Sequence, residues 1–201
     1  SCFAIHARPT GGVAVNRVLE ARIGGDPRRD QQGGFGVYDL AGLPRLASAK
    51  LIGEYPIARV EFEDPELPVQ VALTAFTPFV PLDADASGIP ATVLRYSVTN
   101  PGDVPASVTI AGSLSHIAGE QKNFRDLVRA WFVGGARQTV SWRDDGEFRG
   151  LDFGVDLDPG DKAYGTMSLM TRAERVTKKP EWVRSFTGVG AELFWRDFAA
   201  D

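Results

Sequence analysis

The chain has 201 residues, a net charge of −4, 43% hydrophobic residues and 24% charged residues, which is ordinary for a globular domain with a buried core. It has no basic stripe, so we expect no nucleic-acid partner, and no apolar stretch approaches the ~18 residues of a membrane span. Its single cysteine, Cys2, excludes an internal disulfide framework and suits a reducing compartment, so we expect a cytoplasmic location.

Alternation of apolar and polar residues dominates the sequence and predicts short strands. In "VPASVTIAGSL", for example, Ala106, Val108 and Ile110 fall on one face, and the hydroxyl residues between them fall on the other. The predicted strands are 2–8, 13–21, 56–63, 69–76, 92–99, 104–114, 137–143, 150–157 and 163–172. Such strands, punctuated by Pro, Gly and Asp, predict an all-β fold: an antiparallel β-sandwich of two packed sheets with few short helices.

Two turns share the sequence Pro-Gly-Asp, namely "NPGD" (100–103) and "DPGD" (158–161). Proline presets φ at one turn position and glycine accepts a positive φ at the next, which is typical of a type II turn. The first turn predicts a β-hairpin over 92–114, and the second predicts a hairpin between 150–157 and 163–172.

Helical periodicity is scarce in this chain. Only "KNFRDLVRAW" (122–131) and "AELFWRDFAA" (191–200) favour helices, and 24–36 is predicted to be a glycine- and charge-rich loop.

The acidic run "EFEDPE" (61–66) contains Glu61, Glu63, Asp64 and Glu66. Alternate residues of a strand share a face with Cα atoms ~7 Å apart, so the spacing of Glu61 and Glu63 does not exclude a glycosidase pair. Two catalytic carboxyl groups need different environments, however, whereas neighbours on one exposed face share theirs. We therefore predict a solvated strand end and turn, with no catalytic residue here.

The stretch "DADASG" (83–88) places Asp83 and Asp85 at the first and third positions of a calcium-loop pattern. The twelfth position should be a bidentate Glu but is Leu94, so an EF-hand is excluded. An Asx-rich turn is the expected structure. A cation site remains the alternative, with Asp83 and Asp85 as its only candidates, and we expect neither a metal nor another cofactor.

The remaining chemistry-bearing residues form no motif. His6 and His116 stand alone, without a zinc-binding pattern, and we expect both to be structural. "GSLSH" (112–116) lacks the second glycine of a nucleophile elbow. Tryptophans could stack on sugars but are more often core or interface residues; they are Trp131, Trp142, Trp182 and Trp195.

A set of motifs, in a fixed order, resembles a known family. The motifs are "EYP" (54–56), "VEFEDPELP" (60–68), "AFTPFVPLDADASGIP" (75–90), "TNPGD" (99–103) and the terminal "FWRDFAAD" (194–201). Together they resemble the N-terminal domain of glycoside hydrolase family 116, the β-glucosidases that include the non-lysosomal glucosylceramidases. The resemblance is strongest over 53–114.

The resemblance implies a parent with an N-terminal β-sandwich and an (α/α)6 barrel that carries both catalytic carboxyl groups of a retaining mechanism. No catalytic residue is therefore assigned to this chain, and its expected partners are that barrel and, through the parent, a glucoside. We expect the sandwich at 1–180 and an aromatic tail toward the barrel at 181–201. The expected interdomain contacts are Trp182, Phe194, Trp195 and Phe198. A stand-alone carbohydrate-binding sandwich is the alternative function.

Overall fold

The computed structural model describes residues 2–22, 43–119, 138–182 and 189–200. These ranges are mostly strand. The strands are β1 (Cys2–Pro9), β2 (Val15–Ala21), β3 (Arg45–Leu46), β4 (Ser48–Glu54), β5 (Ile57–Glu63), β6 (Gln70–Phe76), β7 (Val93–Thr99), β8 (Ala106–Ser113), β9 (Gln138–Asp144), β10 (Arg149–Val155) and β11 (Met167–Thr171); the helices are α1 (Ala84–Ser87) and α2 (Val189–Ala200). The all-β prediction and the C-terminal helix are confirmed. The predicted helix 122–131, the loop 24–36 and Trp131 lie outside the described residues.

The chain divides into two compact units. One is Ser1–Gly112 together with Phe186–Asp201, and the other is Ser113–Ser185. The boundary that we expected near residue 180 stays a prediction.

The first unit contains two four-stranded sheets, with orders β3-β2-β1-β8 and β4-β5-β6-β7. The second sheet is a simple antiparallel meander, whereas β3 pairs with β2 in parallel. One core cluster joins the sheets: Ile5, Ala7, Leu19 and Leu46 come from the first, and Val71 comes from the second. Because each strand turns alternate side chains inward, this arrangement is the predicted β-sandwich.

The predicted hairpin over 92–114 is wrong. Its two strands exist as β7 and β8, but β7 is the edge of the sheet β4-β5-β6-β7, and β8 is the edge of the other sheet. The chain therefore crosses from one sheet to the other through 100–105. Alternation identifies which face of a strand is buried but not which strand lies beside it, so the sequence pattern could not separate the two arrangements.

The type II turns are also wrong, because neither Gly102 nor Gly160 has a positive φ. Each loop is held instead by an acceptor side chain two residues before the glycine. Asn100 Oδ1 accepts from the Gly102 N–H at 3.1 Å, and Asp158 Oδ1 accepts from the Gly160 N–H at 2.7 Å. These are Asx turns, in which a side-chain oxygen takes the place of a backbone carbonyl.

Strands β3 and β4 were not predicted. β4 contributes an edge to the second sheet and pairs along its full length with β5, from Ser48 opposite Glu63 to Glu54 opposite Ile57. Its sequence "SAKLIGE" alternates poorly and includes Lys50 and Gly53, which are depleted in strands. Pairing with β5, a tertiary contact, defines this strand.

The second unit contains the three-stranded antiparallel sheet β11-β10-β9. β10 lies in the centre and pairs with β11 from Arg149 opposite Thr171 to Phe153 opposite Met167. This pairing confirms the hairpin predicted for 150–172.

Candidate functional site

The acidic run lies at the end of β5, where Glu61 and Glu63 are exposed and Phe62 between them faces the core. Lys50 of β4 lies opposite Glu61, and Ser48 Oγ donates to Glu63 Oε2 at 3.1 Å. The prediction of a solvated strand end is confirmed for these two glutamates.

Asp64 corrects that prediction, because its side chain is only 3% exposed. Arg17 of β2, itself 10% exposed, donates through Nε to Asp64 Oδ2 at 2.7 Å and through Nη2 to the exposed Glu66. Arg17 Nη1 also donates to the Asn16 carbonyl at 2.9 Å. We name these residues, Arg17, Asp64 and Glu66, the Arg17 clamp. The clamp connects the first sheet to the segment that follows β5. Arg17 and Asp64 are 47 residues apart in the chain, so no local sequence pattern predicts their contact.

The stretch 83–88 forms α1, a helix of four residues. Asp83 is its N-cap, and Asp83 Oδ1 accepts from the Ala86 N–H at 2.9 Å. This confirms the Asx-type role of Asp83, since the carboxylate satisfies a backbone donor of the first turn. Asp85 follows in that first turn. Within the described ranges, no three His, Cys, Asp or Glu side chains are grouped as a metal site would require.

Both histidines bond within their own units, as predicted for structural residues. His6 is buried on β1, and its Nδ1 lies 2.8 Å from Asn16 Oδ1. His116 Nε2 donates to the Gly154 carbonyl at 2.9 Å, and its ring packs edge-on against Phe153.

The aromatic residues of the tail differ in exposure. Phe198 of α2 is 7% exposed, because it packs against His6 and stacks on Phe194, with ring centroids 6.1 and 5.7 Å away. Phe198 is therefore buried and contacts residues of its own unit. Phe194 and Trp195 are half-buried, and Trp182, which belongs to the other unit, is also half-buried. An interdomain contact through these residues stays a prediction.

Trp142 of β9 has a cation over one of its two ring faces. Lys178 Nζ lies 4.6 Å from the centre of the Trp142 ring.

Five exposed apolar side chains at one end of the second sheet were missed by the sequence analysis. They lie at the β4–β5 turn, at the start of β5 and in the segment between β6 and β7, and they are Tyr55, Ile57, Phe79, Leu82 and Ile89. We name them the Tyr55–Phe79 surface. Tyr55 is 82% exposed and meets Phe79 edge-to-face at 5.1 Å. Beside it, a shallow depression of about 370 Å³ is lined by residues 53–58, 75–77 and 92.

The loop that carries this surface is held in shape by its own hydrogen bonds. The Val80 N–H donates to Ser87 Oγ, and Ser87 Oγ donates to the Val80 carbonyl, both at 3.0 Å. Between these residues, Leu82 is fully exposed and has a φ of 66°. A left-handed backbone costs a non-glycine residue about 1–2 kcal/mol. Leu82 is the third residue of a turn that the Asp83 N–H closes by donating to the Val80 carbonyl at 3.1 Å, and it adds nothing to the stability of this unit through burial.

Neither helix in the described part of the chain is long and apolar enough to cross a bilayer. No curated protein matches the sequence. A family model described as beta-glucosidase 2, glycosyl-hydrolase family 116 N-term, matches residues 2–201, and thus also includes 22–49 and 120–150, where the motifs quoted above are absent. Because this match runs through almost the whole sequence, the chain belongs to the family of glycosyl-hydrolase family 116 N-terminal domains.

Proposed function

We propose that this chain is the non-catalytic N-terminal β-sandwich domain of a retaining β-glucosidase of the glucosylceramidase type, and that it supports the catalytic barrel by docking onto it. In this proposal the two catalytic carboxyl groups belong to the (α/α)6 barrel, and this chain contributes a binding surface. The Tyr55–Phe79 surface is the observation that carries the proposal.

The position of that surface in the sequence supports docking. Four of its five members, all except Ile57, come from 54–56 and 75–90, two of the motifs by which the chain resembles the family. Residues that build a core are explained by packing, but burial does not explain Tyr55 and Leu82, which are 82% exposed and fully exposed, respectively. Exposed aromatic and aliphatic side chains grouped on a fixed loop are typical of protein interfaces.

The chemistry of the surface favours a protein partner over a small polar ligand. The depression beside Tyr55 is shallow and is walled by Pro56, Ile57, Ala58 and Phe76, with Glu54 as its one charged residue. Apolar contacts with a polar rim are typical of the buried centre of an interface.

Binding of this chain to the separately produced catalytic domain tests the proposal. We expect Tyr55→Ser to weaken the complex about 30-fold, because truncation of a central aromatic anchor costs about 2 kcal/mol or more. Isothermal titration calorimetry measures this change. Val104→Ser is the matched control, because Val104 is half-exposed but lies in the 100–105 loop, at the opposite end of β7 from the Tyr55 turn.

An equal loss of affinity in Tyr55→Ser and Val104→Ser would show that docking does not use the Tyr55–Phe79 surface. The non-catalytic role has its own test, an assay of the 201-residue chain on an aryl β-glucoside. We expect a rate equal to the buffer blank, and clear turnover would overturn the assignment of both carboxyl groups to the barrel.

Two finer elements complete the proposal. Phe194 and Trp195 of the first unit contact the barrel through their half-exposed rings, and Trp182 of the second unit makes a separate contact with it. The protein acts in the cytoplasm, which agrees with its single, buried Cys2. Fluorescence microscopy of the tagged full-length parent tests the location.

A further inference from the structure

A polar depression lies on one face of the sheet β11-β10-β9 and has no part in the proposed docking. It encloses about 340 Å³ and is lined by Thr139, Ser141, Asp152, Gly154, Thr166 and Ser168, with Phe153 and Met167 at its walls. That volume lies at the lower end of the range for small-molecule sites, about 300–1,000 Å³.

The floor of the depression is the central strand β10. Gly150, Asp152 and Gly154 alternate along it, so they share one face, and the carboxylate stands between two residues without side chains. A Cβ at Gly150 would lie 2.0 Å from the Leu169 carbonyl oxygen, so packing explains this glycine. A Cβ at Gly154 would meet only the hydroxyl end of Thr139, at 3.0 Å. Among the described residues, no backbone atom of another strand lies within 4 Å of that position, so the missing side chain of Gly154 leaves the floor open.

Asp152 is held in a fixed position in the middle of this floor. Ser168 Oγ donates to Asp152 Oδ1 at 2.5 Å, and Arg143 Nε lies 3.3 Å from Asp152 Oδ2. Ser141 of β9 and Ser168 of β11 lie directly opposite Asp152 in the register of the sheet. Aspartate is depleted in strand interiors, and these two contacts hold a half-buried carboxylate in a central strand with hydroxyl groups on both neighbouring strands.

The charges in the depression select the class of ligand. Arg143 offsets the carboxylate of Asp152, so the site has no net charge to attract a cation or an anion. The serine and threonine hydroxyls donate and accept, and the carboxylate accepts more than one hydrogen bond. These groups match a neutral molecule that presents several hydroxyl groups on a small ring.

We propose that this depression, which we name the Asp152 groove, binds a neutral saccharide. Asp152 accepts hydrogen bonds from sugar hydroxyls, Ser141 and Thr139 donate to them, and Gly154 lets the ring approach the sheet. The groove is open, and Trp142, the aromatic residue next to Ser141 in β9, lies on the opposite face of the sheet and so provides no stacking platform for it. We therefore expect millimolar affinity, which is typical of a ligand of this size without strong anchors.

Titration of the ¹⁵N-labelled 201-residue chain with glucose and with cellobiose tests the proposal by NMR. We expect saturable shifts of the amide signals of Asp152, Gly154 and Ser168. Asp152→Asn keeps the size of the side chain but removes its charge, and should weaken binding about tenfold, since hydrogen bonds to charged groups are the stronger ones. Gly154→Val fills the floor and should abolish the shifts.

Asp103→Asn is the matched control, because Asp103 is exposed and lies in the first unit; it should leave the titration unchanged. Should Gly154→Val fail to fold, as its spectrum would show, Asp152→Asn alone decides. The proposal is overturned if neither sugar produces saturable shifts in the unmodified chain, or if Asp152→Asn binds as well as the unmodified chain does. The test uses only this chain, so its result is separate from that of the docking experiment.

Discussion

Two substitutions in the Arg17 clamp test how burial affects an ion pair. Each removes the negative charge of one carboxylate that pairs with Arg17. Asp64→Asn removes the charge of a side chain that is 3% exposed, and Glu66→Gln removes that of a side chain that is 73% exposed. Both replacements preserve shape, and both leave Arg17 in place. The difference between them isolates burial as the physical variable.

The expected magnitudes follow from that burial. Removing one partner of a buried ion pair costs about 3–5 kcal/mol, because the other charge stays buried without compensation. We expect the lower end for Asp64→Asn, about 3 kcal/mol, since Glu66 and the Asn16 carbonyl still hold the guanidinium. Glu66→Gln should cost less than about 1 kcal/mol, as for other exposed pairs.

Thermal unfolding followed by circular dichroism checks these values. For a chain of this length about 1 kcal/mol moves Tm by about 2–4 °C, so Asp64→Asn should lower Tm by about 6–12 °C and Glu66→Gln by less than about 4 °C. Urea unfolding provides the free energies directly. Equal losses in the two variants would refute the reasoning, since they would mean that the buried half of the clamp is no stronger than the exposed half.

Three further predictions concern pH, backbone contact and the C-terminal helix. Burial raises the pKa of Tyr96 to about 12, whereas an unfolded tyrosine loses its proton near 10. The contribution of Tyr96 to stability is therefore complete below pH 10 and is lost as the pH rises through 12. Tyr96→Phe should flatten the plot of the free energy of unfolding, measured by urea unfolding, against pH in this range. Gly150→Ala should lower the free energy of unfolding by about 3 kcal/mol, because the new Cβ would meet the neighbouring strand at 2.0 Å. Gly53→Ala, with no atom within 4 Å, should change it by less than about 0.5 kcal/mol, and similar losses in both would contradict the steric argument. Phe198→Ala should cost about 3 kcal/mol as a buried aromatic, and Phe194→Ala clearly less, in the same assay; the reverse order would place Phe198 outside the core.

The sequence predicted the fold class well, because alternation is a local signal. β1, β2, β5, β6 and β9 all lie within two residues of their predicted bounds. The same signal could not say that β7 and β8 belong to different sheets, since strand pairing depends on residues far apart in the chain. The two Asx turns were misread for a different reason: Pro-Gly fits a type II turn, but the competing acceptor is the side chain of Asn100 or Asp158.

The functional surfaces were less predictable than the fold. Tyr55 and Phe79 lie 24 residues apart and meet only because β4, β5 and β6 form one sheet. Asp152 lies in the predicted strand 150–157 without any motif around it, and its groove forms only because Ser141 and Ser168 lie opposite it on two other strands. Asp64 read as a solvated acid because Arg17, its partner, is 47 residues away.

Hydrogen–deuterium exchange on the chain, with and without the catalytic domain, tests the docking proposal most directly. We predict slower exchange for backbone amides of residues 53–58 and 77–90 in the complex, and unchanged exchange at 100–105. Unchanged exchange at the Tyr55–Phe79 surface, with protection confined to other parts of the chain, would contradict the account.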